Sequence, residues 1–288
     1  MLKNNILQDR SQIYNLFNKK KKDDQILFKY RLKITDKKRL KKLTRDVIYK
    51  CLYKNYKKKF KLHKNYLKKY QEHIFNLPNI TPNGAFNCTP EIAKEFNKLH
   101  KFYFKLLKNH KILNNLNSAT NIVLRLKKGR QDVNLDKRKY ATSKIHSDAW
   151  NGQVCDAICM TMVDGDVRNN SVEYYCPINP SKNILKKINN FDDGSKLYQK
   201  LKPLGIAQEG VCNIFDQICL HRTFQRKSSP RVSIDFGISF KRKKNIKDHY
   251  IKNSNRYKYY NLSEWKKLNY LNIKKFKFSL LDLERKYK

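Results

Sequence analysis

Three residues in the middle of this chain have the types and spacing to hold a metal ion: His146 and Asp148, separated by Ser147, and a distant His221. The segment Ala141-Thr-Ser-Lys-Ile-His146 reads as a strand, and residues two apart on a strand point to one face. The spacing therefore lets an imidazole and a carboxylate converge on one point. His221 ends a second predicted strand, Ile218-Cys-Leu-His221, and brings the other imidazole. Two His and one carboxylate on one face of an octahedron leave three positions open, the ligand set of non-haem Fe(II) centres that use dioxygen. Those positions suit a bidentate oxo-acid and then O2.

Ten residues after His221 stands Arg231, and two further on Ser233. On a strand they face the same way, and a planar guanidinium beside a hydroxyl is a trap for a carboxylate. The order His146-x-Asp148, His221, Arg231 resembles the signature of the 2-oxoglutarate/Fe(II) dioxygenase superfamily. The flanking words Lys144-Ile-His-Ser-Asp-Ala-Trp-Asn-Gly152 and Gly210-Val-Cys-Asn-Ile-Phe-Asp-Gln-Ile-Cys-Leu-His-Arg-Thr223 are similar to its phytanoyl-CoA hydroxylase-like branch, and in flavour to small-molecule tailoring oxygenases of bacterial biosynthetic clusters. The pair Arg231-x-Ser233 is closer to other branches. The resemblance spans about residues 119–240. It implies Fe(II) and 2-oxoglutarate as cofactors, with His146, Asp148 and His221 as metal ligands and catalytic centre. It also implies that Arg231 and Ser233 bind the far carboxylate of 2-oxoglutarate. In the related halogenases a small residue replaces the carboxylate ligand; Asp148 is present, which favours hydroxylation, desaturation or epimerisation. Trp150 is expected to be a packed aromatic close to the site; Tyr140 and Arg125 are candidates to reach cosubstrate or substrate, though spacing alone does not place them.

The elements that must position these residues lie in residues 119–240. Short β-branched or aromatic runs recur there: Asn121–Leu126, Ala141–His146, Val154–Val163, Ser171–Cys176, Gly210–Phe215, Ile218–His221 and Arg231–Ile238. Turn signals such as Asp164-Gly-Asp166, Asn169-Asn170 and Asp192-Asp-Gly194 separate them. Such a series predicts an antiparallel sandwich or jelly roll, and the resemblance specifies a double-stranded β-helix. The expected architecture is mixed α and β: a mostly helical, Lys-rich region over 1–118, the jelly-roll core over 119–240, and a basic region over 241–288 with a helix near Asn261-Leu-Ser-Glu-Trp. The clearest helix opens at Thr89-Pro90-Glu91 and lines up Ile92, Phe96, Leu99, Tyr103, Leu106 and His110 on one face.

The chain has 288 residues and a formal net charge of +41. Residues 119–240 hold 19 Lys and Arg against 12 Asp and Glu, a net of +7, which leaves +34 to the flanks. Clustered cations bind phosphates, but the excess is Lys. Arg, the residue suited to bidentate contacts, is the scarcer cation. Lys, Asn, Ile, Tyr and Phe all have AT-rich codons, so base composition can produce the excess without selection for binding. A small-molecule substrate is therefore favoured over nucleic acid or a protein side chain, and a non-catalytic basic module is the third reading. The seven cysteines form no CxxC pair and indicate neither a disulfide framework nor a zinc site. With no apolar run of 18 residues and no leader-like N-terminus, the expected location is the cytoplasm. The remaining histidines, His63, His73, His100, His110 and His249, are expected at the surface or in packing.

Overall fold

The computed structural model describes residues 11–19, 25–81, 83–129, 137–151, 156–175, 188, 190–226, 229–241 and 259–272. Val154, Cys155, Cys176 and His249 lie outside them. The described strands are β1 Ile26–Arg31, β2 Ala85–Phe86, β3 Leu116–Thr120, β4 Val123–Lys127, β5 Ala157–Gly165, β6 Asn170–Tyr175, β7 Pro203–Ile206, β8 Val211–Asp216, β9 His221–Gln225, β10 Arg231–Phe240 and β11 Tyr259–Asn261. Four helices matter here: α1 Ile34–Tyr56, α2 Ala93–Asn109, α3 Phe191–Tyr198 and α4 Leu262–Lys266. No described helix is long and apolar enough to cross a membrane.

The strands form two antiparallel sheets. The larger runs β1-β8-β5-β10-β3-β11; the first half of β10 also pairs with β4, which in turn pairs with β2. The smaller runs β7-β6-β9, and a bridge between His146 and His221 extends it past β9.

Alternation along β10 sorts its side chains between two environments. Val232, Ile234 and Phe236 face outward into one apolar cluster with Val47, Ile48 and Leu52 of α1 and Phe96, Leu99 and Tyr103 of α2. Each helix buries one stripe at three- and four-residue spacing, so the outer face of the large sheet is covered. A second cluster fills the space between the sheets: Ile158, Met160 and Met162 of β5, Val172 and Tyr174 of β6, and Phe215 of β8. Arg231, Ser233 and Asp235 alternate with the outward set and turn toward that space.

Several elements depart from the expected pattern. The Lys-rich N-terminal region contributes β1, which completes the edge of the large sheet against β8. The C-terminal region adds β11 against β3. The expected helix at Thr89 begins as a 3-10 turn, Pro90–Ile92, and Thr89 provides no side-chain cap. The expected turn Asp192-Asp193-Gly194 is instead the first part of α3, capped by the Asn190 side chain, which accepts from the Asp193 N–H at 3.0 Å. Gly194 belongs in that helix because it lies against Trp150: a Cβ there would meet the indole ring at 2.0 Å. The short α4 bears out the helix expected near Asn261, with Asn261 and Glu264 forming a reciprocal capping box.

Candidate metal centre

His146 and His221 are paired through their backbones, each N–H donating to the other's carbonyl at 2.9 Å. His221 thus opens β9 rather than closing a strand, and His146 makes a single bridge rather than ending a regular strand. Asp148 reaches the same point by a different route from the pleat expected of it, because it starts a 3-10 turn, Asp148–Asn151. Ser147 holds that turn: its hydroxyl donates to the Gln217 carbonyl at 2.9 Å and accepts the Ala149 N–H at 3.2 Å.

The result is a tight grouping in which one ligand atom from each of His146, Asp148 and His221 lies within 4.8 Å of the others. The Asp148 carboxylate stands 3.9 Å from His146 Nε2 and 3.6 Å from His221 Nε2. Both distances are too long for a hydrogen bond. His146 Nδ1 lies 2.6 Å from the Lys144 carbonyl and His221 Nδ1 lies 2.9 Å from the Cys219 carbonyl. A carbonyl can only accept, so each ring donates through Nδ1 and turns its Nε2 toward the carboxylate. Burial holds His146 well below the usual histidine range, reinforced by repulsion from His221, so its ring is neutral. Burial likewise pushes the Asp148 carboxyl above its usual value. Two imidazole nitrogens and a carboxylate facing one point, too far apart to hydrogen-bond to each other, leave room for a cation at their centre. The donor set and its second-layer carbonyls therefore fit a divalent metal.

Arg231 and Ser233 are 1% and 0% exposed. Arg231 Nη1 donates to Ser233 Oγ at 2.8 Å, and Nε donates to Asn170 Oδ1 at 2.9 Å. Asn170 begins β6 of the small sheet, so the guanidinium spans the space between the sheets. The amide of Asn170 is itself oriented, since Nδ2 donates to the Ser229 carbonyl at 2.7 Å. Arg231 has no carboxylate partner among the described residues, and burial, with repulsion from Arg125, pulls it down to about 9. A buried guanidinium without a counter-ion is costly.

Arg125 is already committed, with a two-pronged pair to Asp235 at 2.8 and 3.1 Å. Tyr140 packs edge-on against Phe191. Trp150 stacks on Tyr198 and is buried packing. Sequence reasoning missed Asn170, read as a turn residue, and Phe191, which stacks on His146 at 4.0 Å between ring centres. It also missed Lys127, buried opposite Arg231 in the β4–β10 register and donating to Thr142 Oγ1 at 3.0 Å. Two-residue spacing from Arg125 was the available signal for Lys127. The other two come from tertiary packing.

No family profile matches this chain, and no curated protein matches it in sequence. Among solved structures it is similar to the non-haem α-ketoglutarate-dependent carbocyclase SnoK from nogalamycin biosynthesis, at 8% identity, covering 76% of this chain and 81% of that one, with a TM-score of 0.43. It is also similar to the α-ketoglutarate-dependent epimerase SnoN from the same biosynthesis, at 11% identity over 71% and 82% with a TM-score of 0.34. A dioxygenase for auxin oxidation in rice matches at 10% identity over 81% and 79%, with a TM-score of 0.31. Likenesses this distant leave the chemistry to the geometry of the chain's own residues.

Proposed function

We propose that this protein is an Fe(II)- and 2-oxoglutarate-dependent oxygenase that hydroxylates a small molecule. The observation that carries the reading is the convergence of one ligand atom each from His146, Asp148 and His221 within 4.8 Å, with the Asp148 carboxylate 3.9 and 3.6 Å from the two Nε2 atoms. The strand orders β4-β10-β5-β8 and His146-β9-β6-β7 support a double-stranded β-helix with the triad held on the small sheet. When bound, the metal supplies oxidation by O2 coupled to decarboxylation: substrate C–H, 2-oxoglutarate and O2 become C–OH, succinate and CO2.

The chain's own residues do the positioning. His146, Asp148 and His221 would hold the ion, with the backbone carbonyls of Lys144 and Cys219 fixing each ring. Arg231 would take the far carboxylate of 2-oxoglutarate on Nη2, the terminal nitrogen to which no described partner is bonded, while Ser233 turns its own proton toward the same oxygens. Asn170 keeps the guanidinium plane in place. Met160, Met162, Phe215 and Tyr174 form a dry wall that strengthens these charge-assisted contacts. Phe191 covers one face of His146. A small-molecule substrate is preferred because a basic cleft lined by Lys38, Lys41, Arg45, Lys64 and Lys68 includes no triad residue.

Anaerobic addition of Fe(II) and then 2-oxoglutarate should produce a visible metal-to-ligand charge-transfer band. His221→Ala should abolish it while keeping the far-UV circular dichroism. An unchanged band in that variant would remove His221 from the centre.

A further inference from the structure

A cleft of about 700 Å³ opens between α1, the short helix Tyr66–Lys69 and the ends of β5 and β10. Six cations and three carboxylates line it. Some of these charges neutralise one another. Lys41 bridges Asp164 at 2.9 Å and Glu209 at 2.8 Å, and Lys42 pairs with Asp46 at 2.7 Å. Lys38, Arg45, Lys64 and Lys68 make no ion pair among the described residues. Among the described residues Arg45 Nε is buried without a partner, and so is the hydroxyl of Tyr66, a residue only 2% exposed. A buried donor left unmade is expensive, and here two of them sit in the wall of one basic cleft. Neither His146, Asp148, His221 nor Arg231 contributes to the lining.

We propose that this cleft is a second ligand site, specific for a phosphate-bearing small molecule. Arg45 and Tyr66 would bond the phosphate oxygens that their orphaned donors lack, and Lys38, Lys64 and Lys68 would neutralise its charge. The cleft's volume is that of a small-molecule site. Its lining carries three more cations than carboxylates, an excess that suits a di- or triphosphate rather than a single carboxylate. Its floor is the turn at Gly165, whose φ of +100° and tight contact with Pro230 and Arg231 leave no room for a Cβ: one placed there would meet the Pro230 carbonyl at 2.3 Å.

Isothermal titration of the full chain with inorganic pyrophosphate tests the site. A triple variant, Lys38→Gln, Arg45→Gln and Lys64→Gln, should bind about tenfold more weakly or worse, as expected for losing charge-assisted bonds. A control triple, Lys98→Gln, Lys101→Gln and Lys105→Gln, removes the same charge from the exposed side of α2 and should stay within about twofold of the parent. Tyr66→Phe should weaken binding by roughly threefold, one modest hydrogen bond, without lowering Tm. Adenosine triphosphate binding more tightly than inorganic tripolyphosphate would assign a nucleotide, and equal binding a phosphate group alone. Equal losses in the two triples, or no binding by the parent, would overturn the proposal. So would an oligothymidylate that binds through these residues and that pyrophosphate fails to displace.

Discussion

Arg231 is the residue whose surroundings make the sharpest demand. It is a buried cation whose described bonds go to an amide oxygen, a thioether and a hydroxyl, all of them neutral. In the proposed function the missing counter-ion is the 2-oxoglutarate carboxylate. Arg231→Ala should then weaken 2-oxoglutarate binding by about 1–3 kcal/mol, or roughly 5- to 150-fold in Kd. Ser233→Ala should cost less, since it removes one neutral hydroxyl. Calorimetric titration of the Fe(II)-loaded protein checks both, and an unchanged affinity in Arg231→Ala would end the assignment. The grouping of His146, Asp148 and His221 was legible from side-chain chemistry and strand spacing. The means of convergence was not, because Asp148 arrives through a turn held by Ser147 and Gln217, 70 residues apart.

At the scale of elements, α2 shows how a helix read from its apolar face can carry an unread constraint. His100 lies within its buried face, with Nε2 2.6 Å from the Trp265 carbonyl. Burial lowers it to about 4. The unfolded chain therefore takes up this proton first as pH falls. The contribution of neutral His100 is fully present above about pH 6.5 and is lost progressively toward pH 4, a loss of about 3 kcal/mol over that window. Urea unfolding at pH 7 and pH 4.5 should show this slope, and His100→Gln should flatten it while lowering stability at pH 7. A slope that persists undiminished in the variant would place the pH dependence elsewhere. The face of α2 was legible from its spacing, Ile92 to Leu106. Its docking partner was not, because Trp265 stands 165 residues further on. α3 was misread for a related reason: its glycine marks close contact with Trp150, and only the packed structure distinguishes that from a turn.

For the whole molecule, the boundaries read from composition do not coincide with the limits of the sheet. β1 and β11 come from the basic flanks and pair with β8 and β3, and α1 and α2 cover the outward side chains of β10. A fragment of residues 119–240 would leave the β8 edge unpaired and expose Val232, Ile234 and Phe236. Both are templates for aggregation. We expect that fragment to lack a cooperative thermal transition and to elute as aggregate on size-exclusion chromatography, whereas the full chain melts in one step. A monomeric, cooperatively folding fragment would make the flanks an appendage. Charge and helical periodicity marked the flanks as different, but neither reports strand pairing, which depends on distant partners.

The placement of the tryptophans, two in the entire chain, has an optical consequence. Trp150 is two residues from Asp148 and stacked on Tyr198. Trp265 is fully buried against His100 and Phe104 in the middle of α2, with its indole N–H bonded to the Thr120 carbonyl at 2.9 Å. Each is an emitter in a different part of the molecule. A paramagnetic ion at the triad would dim the first and leave the second bright, and loss of the C-terminal packing would shift the second alone. Single-tryptophan variants would thus let occupancy and unfolding be followed separately by light, without any attached dye.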